Sequence, residues 1–342
     1  MLPEPGLPRS RRYSSSVRAA VTTSYGPPDV VRVCEIDAPS VPEDGLLVRV
    51  RATTVNRTDC GYRAARPFFI RLFSGLARPR AAVLGTEFAG VVEDVGPRVR
   101  SFAVGDRVFG YVEGSFGAHA EYLAVPGSGL VATIPDGVTF EQAAASTEGG
   151  HYALSFIKWA KVRRGHDVLV NGATGAIGSA AVQLLKSLGA TVTAVCATEH
   201  VELVRSLGAD RVIDYTAEDF TRDAHSYDVV MDAVGKSSFG RCRRLLKPRG
   251  VYLSSDLGRL SQNPLLALIT PLFRGKRVVV PVPTEDRQVI ARIRQTLESG
   301  AFTPVIDRRY TLEQIVQAYA YVETGQKIGN VIISIDSSAQ PN

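Results

Sequence analysis

Three glycines at regular spacing, Gly172, Gly175 and Gly178, carry the most specific chemical implication in this chain. The first glycine allows a tight turn, the second lets the backbone approach a pyrophosphate, and the third lets a helix pack closely on a strand. A helix that begins in such a turn presents free N–H groups and a partial positive charge to phosphate oxygens. We therefore predict a pyrophosphate-binding loop; a glycine-rich turn without a ligand is the alternative. The loop residues are Gly172, Ala173, Thr174, Gly175, Ala176, Ile177 and Gly178.

The residues around this loop predict the elements that position it. Residues 168–170 form an apolar run typical of a buried parallel strand. Apolar residues then recur at helical spacing until Gly189, which ends the helix, and residues 191–195 form a second strand. Strand, loop, helix and strand make one βαβ unit, the context that a dinucleotide-binding loop requires.

The end of the second strand bears on which dinucleotide binds. NAD sites usually carry an acidic residue there, about 20 residues after the glycine turn, which holds the ribose hydroxyls. This chain has Cys196, Ala197 and Thr198 instead, and both Thr198 and His200 offer donors to a 2′-phosphate. Glu199 keeps an alternative open, because its carboxylate could turn inward and bind the ribose. We predict NADPH as the cofactor.

Composition and charge exclude several classes of partner. The chain has 342 residues and a formal net charge of +6, of which four arginines and Glu4 within residues 1–18 contribute +3. The remaining charge is dispersed, so we expect no nucleic-acid partner. Because no apolar run reaches the ~18 residues that a membrane helix needs, we also expect no membrane partner.

The cysteines and the first residues bear on location. Cys34, Cys60, Cys196 and Cys242 are widely spaced, which indicates neither a zinc lobe nor a disulfide framework and fits a reducing, cytoplasmic compartment. Residues 1–16 are rich in Pro, Arg and Ser without an apolar core, so they do not match a secretory signal. We expect a disordered tail; a mis-assigned start and a weak organelle signal are the alternatives.

The chain length suggests two domains, at ~100–200 residues each. Short strands punctuated by Gly and Pro predict a β-rich domain up to about residue 138, and β-character returns near the end of the chain. A helical stretch at 140–159 leads into alternating strands and helices. We therefore predict an α/β protein with a β-rich domain of residues 17–138 and 302–342. The dinucleotide-binding domain is predicted at 139–301, with a doubly wound parallel sheet.

In these features the chain closely resembles the medium-chain dehydrogenase/reductase superfamily, in particular its zinc-free quinone oxidoreductase-like branch. The resemblance covers about residues 17–335 in the correct order. It is carried by Asn56, Asp59 and Arg63, by Gly85-Thr-Glu-Phe-Ala-Gly90, by Val104-Gly-Asp-Arg-Val108, by the glycine loop and by Leu207-Gly-Ala-Asp-Arg-Val-Ile-Asp-Tyr215. It implies a GroES-like catalytic domain and a Rossmann domain, with NADPH in the cleft between them.

The resemblance also assigns site residues. It implies that Tyr215 lies near the 2′-phosphate and that residues 327–331, including Asn330, close over the cofactor. We add Ala233 and Val234, which follow the next parallel strand. For catalysis it brings Asn56, Asp59 and Arg63, to which we add Tyr152. Asn56, Arg63 or Tyr152 would donate to the oxyanion, whereas Asp59 would orient Arg63 or loop backbone.

Zinc is not expected. Zinc-dependent relatives carry Cys where this chain has Asn56, and His where it has Thr86, and a catalytic zinc needs about three protein ligands. Glu87 is then a structural carboxylate, paired with an arginine or with backbone. Glu148, His151 and Tyr152 lie where many relatives are apolar; helix-cap or interface contacts are the alternative to a catalytic role for them.

These features predict a zinc-independent reductase that transfers a hydride to a quinone or a conjugated carbonyl. An enoyl-thioester or alkenal reductase, or an alcohol dehydrogenase-like reductase, is the alternative within the superfamily. A crystallin-like protein that binds NADPH without turnover is the alternative from another class, which a substrate-sized apolar cleft would disfavour. The β-prone run 277–282 predicts a homodimer by edge pairing, unless Pro281 and Pro283 blunt the edge and leave a monomer.

Overall fold

The computed structural model describes residues 15–112, 114–258, 261–281 and 287–335. The β-rich part contains β1 (Ser16–Thr22), β2 (Val31–Asp37), β3 (Gly45–Val55), α1 (Arg57–Ala64), α2 (Arg71–Ser74), β4 (Glu87–Val95), β5 (Arg107–Tyr111), β6 (Tyr122–Pro126) and β7 (Leu130–Thr133). The second part begins with α3 (Phe140–Ala145), α4 (Thr147–Ala160), β8 (Asp167–Asn171), α5 (Ala176–Leu188), β9 (Thr191–Cys196), α6 (Val201–Ser206) and β10 (Arg211–Asp214). It continues with β11 (Tyr227–Asp232), α7 (Phe239–Cys242), β12 (Leu246–Ser254), α8 (Gln262–Ile269), β13 (Arg277–Val279) and α9 (Arg287–Glu298). The chain ends with β14 (Ile306–Thr311), α10 (Ile315–Glu323) and β15 (Asn330–Ser334).

The β-rich domain is built on a seven-stranded sheet in the order β14-β15-β3-β4-β5-β7, with β6 also paired to β3. The pair β14–β15 is parallel, and the other pairs in this sheet are antiparallel. β14 and β15 come from the end of the chain, and β15 pairs with β3 in the same sheet. Leu46, Val48, Phe88, Val108 and Ile333 belong to its buried core.

The second domain is a six-stranded parallel sheet in the order β10-β9-β8-β11-β12-β13. From β8 the chain adds β9 and β10 on one side of the sheet; it then crosses to β11 and adds β12 and β13 on the other side, as in a doubly wound Rossmann sheet. Its crevice therefore lies beyond the carboxyl ends of β8 and β11. The predicted fold class, a GroES-like domain with a Rossmann domain, is confirmed.

The two domains meet at the glycine loop. α4 packs so closely on the start of α5 that a Cβ at Gly149 would lie 2.6 Å from the carbonyl oxygen of Ala176. From the other side the Gly329 N–H donates to the Thr174 carbonyl oxygen over 2.7 Å. The loop and the start of α5 are therefore held between α4 and the segment that precedes β15.

Some predicted bounds differ from the structure. The helix predicted at 140–159 is two helices that meet at Ser146, whose hydroxyl donates to the Ala143 carbonyl oxygen over 2.7 Å and competes with the backbone ladder. Ser16, assigned to the tail, is the first residue of β1 and pairs with Asp37. β13 ends at Val279, so Val280 and Pro281 do not belong to the predicted strand 277–282. Residues up to 14, Val282, Asp286 and residues 336–342 lie outside the described residues.

No helix in the described part of the chain is long and apolar enough to cross a bilayer.

Candidate active site

The glycine loop has the geometry of a phosphate cradle. Gly172 has a φ of +79°, which only glycine adopts without strain, and a Cβ on Gly178 would lie 2.1 Å from the Gly172 carbonyl oxygen. Gly175 is the N-cap of α5 and offers no side-chain cap to the first N–H groups of the helix. A Cβ at Gly175 would meet only the Gly172 carbonyl oxygen, at 3.7 Å, so its other side is open. An uncapped, open helix start fits the pyrophosphate of a dinucleotide.

The turn after β11 completes the cradle. A Cβ on Gly172 would lie 2.8 Å from the Cβ of Val234, so this side chain packs directly on the loop. The Ala233 N–H donates to the Asn171 carbonyl oxygen over 3.0 Å, and Ala173 donates to Val195 over 3.1 Å. The predicted residues Ala233 and Val234 thus lie against the glycine loop.

Two polar residues that the sequence analysis missed hold this turn. Asp232 ends β11 and is fully buried; its Oδ1 accepts from the Gly235 N–H over 3.1 Å and from Asn171 Nδ2 over 2.9 Å. Asn171 ends β8, the neighbouring strand. Polar residues at the carboxyl ends of two adjacent parallel strands were the available signal.

The adenosine end of the site contains an anion that the sequence analysis also missed. Asp214 ends β10, and its carboxylate accepts from Thr198 Oγ1 over 2.5 Å and from Thr216 Oγ1 over 2.7 Å. These hydrogen bonds, that from Thr198 foremost, hold the pKa of Asp214 below its ordinary value. Tyr215 is 59% exposed beside it. A negative charge therefore lies beside the hydroxyl that we expected to meet a 2′-phosphate.

Glu199 does not turn inward in this structure, as the alternative of a ribose-binding carboxylate required. Its Oε1 lies 3.1 Å from His200 Nε2, and its side chain is 78% exposed. Glu199 therefore points to solvent and pairs with its neighbour in this structure.

Asn56 begins α1 and is tied into the interior. Its Oδ1 accepts from the Asp59 N–H over 2.9 Å, and the Asp59 carboxylate accepts from the Asn56 N–H over 3.1 Å, which closes a capping box. Its Nδ2 donates to Thr86 Oγ1 over 2.8 Å and approaches Glu87 Oε2 at 3.4 Å. The amide that we expected to meet substrate is thus already engaged by protein acceptors.

Glu87 is fully buried and accepts hydrogen bonds on both oxygens. Its Oε1 accepts from Thr147 Oγ1 and from the Glu148 N–H, each over 2.7 Å, and its Oε2 accepts from the Thr54 hydroxyl. The expectation of a structural carboxylate paired with backbone fits these contacts, and hydroxyl groups take the place of the arginine. Because Thr147 and Glu148 belong to α4, Glu87 joins the two domains.

The buried Glu148 and the half-buried Lys327 both lie close enough to Glu87 to sense its charge. Burial, reinforced by the charge of Glu87, raises the pKa of Glu148 to about 8, and the charge of Lys327 opposes this shift. Burial lowers the pKa of Lys327, whose Nζ donates to the Gly329 carbonyl oxygen over 2.5 Å. Thr58 at the start of α1 donates to Glu148 Oε1 over 2.9 Å. We call Asn56, Thr58, Glu87, Glu148 and Lys327 the interdomain carboxylate cluster.

The structure does not bring Arg63 to the cleft. Its side chain is fully buried, donates to the Gly26 carbonyl oxygen and to Glu323, and lies over the Tyr319 ring with 5.1 Å to the centroid. These contacts make Arg63 a support within the catalytic domain, and we do not retain it among the candidate donors. Asp59 accepts from the Gly85 N–H over 3.2 Å, which agrees with an orienting role toward loop backbone.

The candidate substrate cleft lies between the domains and has a volume of about 390 Å³. Phe88, Tyr111 and Leu130 line it from the catalytic domain, and His151 and Tyr152 line it from α4. The volume falls within the ~300–1,000 Å³ of small-molecule sites. Tyr152 therefore lines this cleft, and so does Tyr111, a residue that was not among the predicted site residues.

The positions of the zinc ligands of zinc-dependent relatives, Asn56 and Thr86, form an amide–hydroxyl hydrogen bond. Over the described ranges, no group of three His, Cys, Asp or Glu side chains has a geometry that could hold a metal ion.

Asn330, predicted to close over the cofactor, donates through Nδ2 to the Val305 carbonyl oxygen over 3.0 Å. Its neighbour Gly329 makes the contact with the glycine loop.

Comparison with known proteins agrees with this architecture. Residues 42–136 match the alcohol dehydrogenase GroES-like domain, and residues 207–333 match the family model described as zinc-binding dehydrogenase. The chain is 33% identical over 331 residues to the 2-methylene-furan-3-one reductase of Solanum lycopersicum, covering 93% of this chain and 79% of that protein. It is 32% identical over 329 residues to the chloroplastic NADPH-dependent alkenal/one oxidoreductase of Arabidopsis thaliana, with coverage of 93% and 79%.

The fold has a close counterpart among solved structures. The quinone oxidoreductase from Coxiella burnetii superimposes with a TM-score of 0.84 at 23% identity, over 94% of this chain and all of that one. With its cofactor loop, its interdomain cleft and these relatives, the chain belongs to the quinone oxidoreductase-like branch of the medium-chain dehydrogenase/reductase superfamily and is an NAD(P)H-dependent oxidoreductase.

Proposed function

We propose that this protein is a zinc-independent, NADPH-dependent reductase of quinones and conjugated carbonyl compounds, with enones and alkenals as the favoured class. The observation that carries this proposal is a cleft of substrate size between the domains, lined by the aromatic residues Tyr111 and Tyr152 and by both apolar and polar neighbours. Two relatives that are more than 30% identical are named as a furanone reductase and an alkenal/one oxidoreductase. A cleft of substrate size also disfavours a binding protein without turnover.

The residues at the zinc-ligand positions support independence from zinc. Asn56 and Thr86 provide an amide and a hydroxyl, neither of which is a usual zinc ligand. A conjugated carbonyl suits such a site, because conjugation makes its β-carbon electrophilic without a metal. Elemental analysis of purified protein should find no stoichiometric zinc, and chelators should leave the activity intact. Tightly bound zinc whose removal abolishes activity would contradict this assignment.

Each group of residues then has a distinct task. The N–H groups at the start of α5 hold the pyrophosphate, and Gly329 keeps the loop against the catalytic domain. When bound, the nicotinamide supplies the hydride. Tyr152 and Tyr111, which both line the cleft, would donate to the substrate oxygen as negative charge develops there. Asn56 and Asp59 position the start of α1 through their capping box.

Tyr152 offers the direct test. We expect Tyr152→Phe to lower kcat with enones at least about tenfold, because an oxyanion donor is removed. Tyr310→Phe is the control, since Tyr310 lies on β14 outside the cleft lining. NADPH oxidation should be measured with quinones, enones, enoyl thioesters and aldehydes. Turnover of enoyl thioesters alone, or of none of the four classes, would overturn the proposed substrate class.

NADPH is the proposed cofactor because β9 ends without an acid, and Thr198, His200 and Tyr215 surround its end. One relative is itself named as NADPH-dependent. Asp214 opposes a 2′-phosphate, so we expect a preference of only several-fold. Titration of protein fluorescence with NADPH and NADH should give the tighter dissociation constant for NADPH; equal affinities would contradict the proposal.

We also propose a homodimer formed through β13. This strand is the last in its sheet, and it pairs with β12 alone among the described strands. The neighbouring segment 262–273 exposes Leu265, Leu268, Leu272 and Phe273, which a second copy would cover. Light scattering should give a dimer mass, and a monomer mass at micromolar concentration would exclude this arrangement.

Two further parts of the proposal concern the domain division and the compartment. We propose residues 17–138 and 302–342 as the catalytic domain and 139–301 as the cofactor domain, in line with the two sheets. All four cysteines are free, which supports a reducing compartment such as the cytoplasm. Fractionation of cells that express the tagged protein would test the location.

A further inference from the structure

A second surface feature is independent of the cofactor site. Among the described residues, large apolar side chains are exposed mainly in two segments, one around residues 265–273 and one at residues 68–76. The second segment exposes Phe68, Leu72, Phe73 and Leu76 by 64–74% each, together with Phe69. Exposed apolar residues are ordinary when they are single, but a contiguous group marks an interaction surface.

This segment has a defined local structure. A single 3₁₀ turn at Phe68–Ile70 leads into α2, and the Tyr25 hydroxyl donates to the Gly75 carbonyl oxygen over 2.7 Å. The Arg71 guanidinium lies over the Tyr25 ring at 4.9 Å and over the Phe68 ring at 5.2 Å. The backbone is therefore fixed on the catalytic domain while its apolar side chains face outward.

The charge along this segment has one sign. Arg66, Arg78 and Arg80 are exposed on its flanks, and the sequence has no Asp or Glu between Asp59 and Glu87. Apolar side chains rimmed by arginines match a surface that is hydrocarbon within and anionic at its boundary. A second copy of this chain would bring like charges together at the same place. The other exposed segment is already accounted for, because it adjoins β13 and the proposed dimer.

We infer that residues 66–80 form a docking surface for anionic phospholipid bilayers. Phe68, Leu72, Phe73 and Leu76 enter the boundary of the acyl chains, and Arg66, Arg78 and Arg80 contact lipid phosphates. No apolar run is long enough to span a bilayer, which led us to expect no membrane partner, but run length tests only for spanning helices. A surface of this kind holds the protein where lipophilic substrates dissolve, but binding does not require turnover.

Co-sedimentation with vesicles tests this surface directly. The full chain should sediment with vesicles of phosphatidylcholine and phosphatidylglycerol, bind weakly to phosphatidylcholine alone, and dissociate as salt rises. The double variant Leu72→Asp/Phe73→Asp should lower partitioning by at least about tenfold, since two side chains lose their apolar insertion. The control Val104→Asp should bind as the wild type does, because Val104 is an isolated exposed residue.

A second variant keeps the inference testable if the first one is unstable. Arg78→Gln/Arg80→Gln leaves the apolar side chains in place and should weaken binding to anionic vesicles several-fold, with unchanged melting temperature. The inference is overturned if the wild type does not bind anionic vesicles. It is likewise overturned if both double variants bind these vesicles as well as the wild type does. It is also overturned if the wild type does not bind vesicles and Leu72→Asp/Phe73→Asp lowers the oligomeric mass. That result would mean that a second copy of this chain covers the surface.

Discussion

The glycine loop and the interdomain carboxylate cluster lie side by side where the domains meet, yet they are built in opposite ways. In the loop, three positions lack a side chain: Gly178 lets its helix pack on Gly172, and Gly175 leaves the first N–H groups of α5 without a side-chain cap. In the cluster, polar side chains pack against one another, with Glu87 fully buried and Glu148 7% exposed. The loop is a local backbone device, whereas the cluster is a network of side chains from distant segments.

This difference separates what each region contributes. The loop presents partial positive charge without any ionisable group, so its binding of phosphate depends little on pH. The cluster contains Glu148 and Lys327, whose pKa values are shifted by burial and by the charges of neighbouring groups. We therefore expect substitutions in the loop to act on cofactor binding, and substitutions in the cluster to act on stability and its pH dependence.

The largest expected effect on cofactor binding is that of Gly178→Ala. Its Cβ would lie 2.1 Å from the Gly172 carbonyl oxygen, so the start of α5 must move away from the loop. We expect NADPH affinity to fall roughly 100-fold, about 2.7 kcal/mol. Fluorescence titration measures this, and Gly240→Ala is the control because its Cβ would meet nothing within 4 Å. Wild-type affinity in Gly178→Ala would contradict this interpretation of the loop.

Gly175→Ala sharpens the same comparison. Its Cβ has room within the protein, so the melting temperature should stay near that of the wild type while NADPH affinity falls roughly tenfold. This result would separate the space that the fold requires from the space that the ligand requires. Retained affinity would mean that the cofactor does not approach this glycine.

Glu87→Gln should produce the largest loss of stability within the cluster. The carboxylate accepts from Thr54, Thr147 and the Glu148 N–H, and an amide replaces one acceptor oxygen by a donor. We expect the free energy of unfolding to fall by about 3 kcal/mol, measured by urea denaturation. Glu298→Gln, which breaks a surface pair with Arg294, should cost less than about 0.5 kcal/mol. Equal effects of the two substitutions would contradict the role of Glu87.

Glu148→Gln should change how stability depends on pH. The folded pKa of Glu148 is about 8, above its unfolded value, so its contribution is complete below pH ~4.3 and is lost as pH rises toward 8. The melting temperature of the wild type minus that of Glu148→Gln should therefore fall between about pH 5 and pH 8, by several degrees. The apoprotein suffices for this measurement. A difference that is constant over this range would contradict the raised pKa.

The smallest expected effect lies at the adenosine end of the loop region. Asp214→Asn removes the negative charge beside Thr198, which should raise the preference for NADPH over NADH about threefold to fivefold, the size of one screened charge interaction. Asp219→Asn is a matched control, since Asp219 also accepts from a threonine hydroxyl two residues on and belongs to the same domain. An unchanged ratio of the two dissociation constants would show that Asp214 does not sense the 2′-phosphate.

The sequence by itself determined the loop and the fold around it. Gly172, Gly175 and Gly178 act through local backbone geometry, so their spacing and the flanking strand and helix were enough to place them at the carboxyl end of β8. The apolar runs of the parallel strands and the late β-segments likewise predicted both sheets. These features are local, and their physical cause is contained within a few residues.

Only the tertiary structure decided which polar residues meet. Thr58, Glu87, Glu148 and Lys327 come from four separate segments, and the pKa of Glu148 depends on burial that no single segment creates. Arg63 matches the motif of its family, but its side chain is fully buried and donates a hydrogen bond to Glu323. Asp214 joins the adenosine end because β10 pairs with β9. Burial and long-range contact set the charges and hydrogen bonds of these residues, so the chain order alone did not reveal their roles.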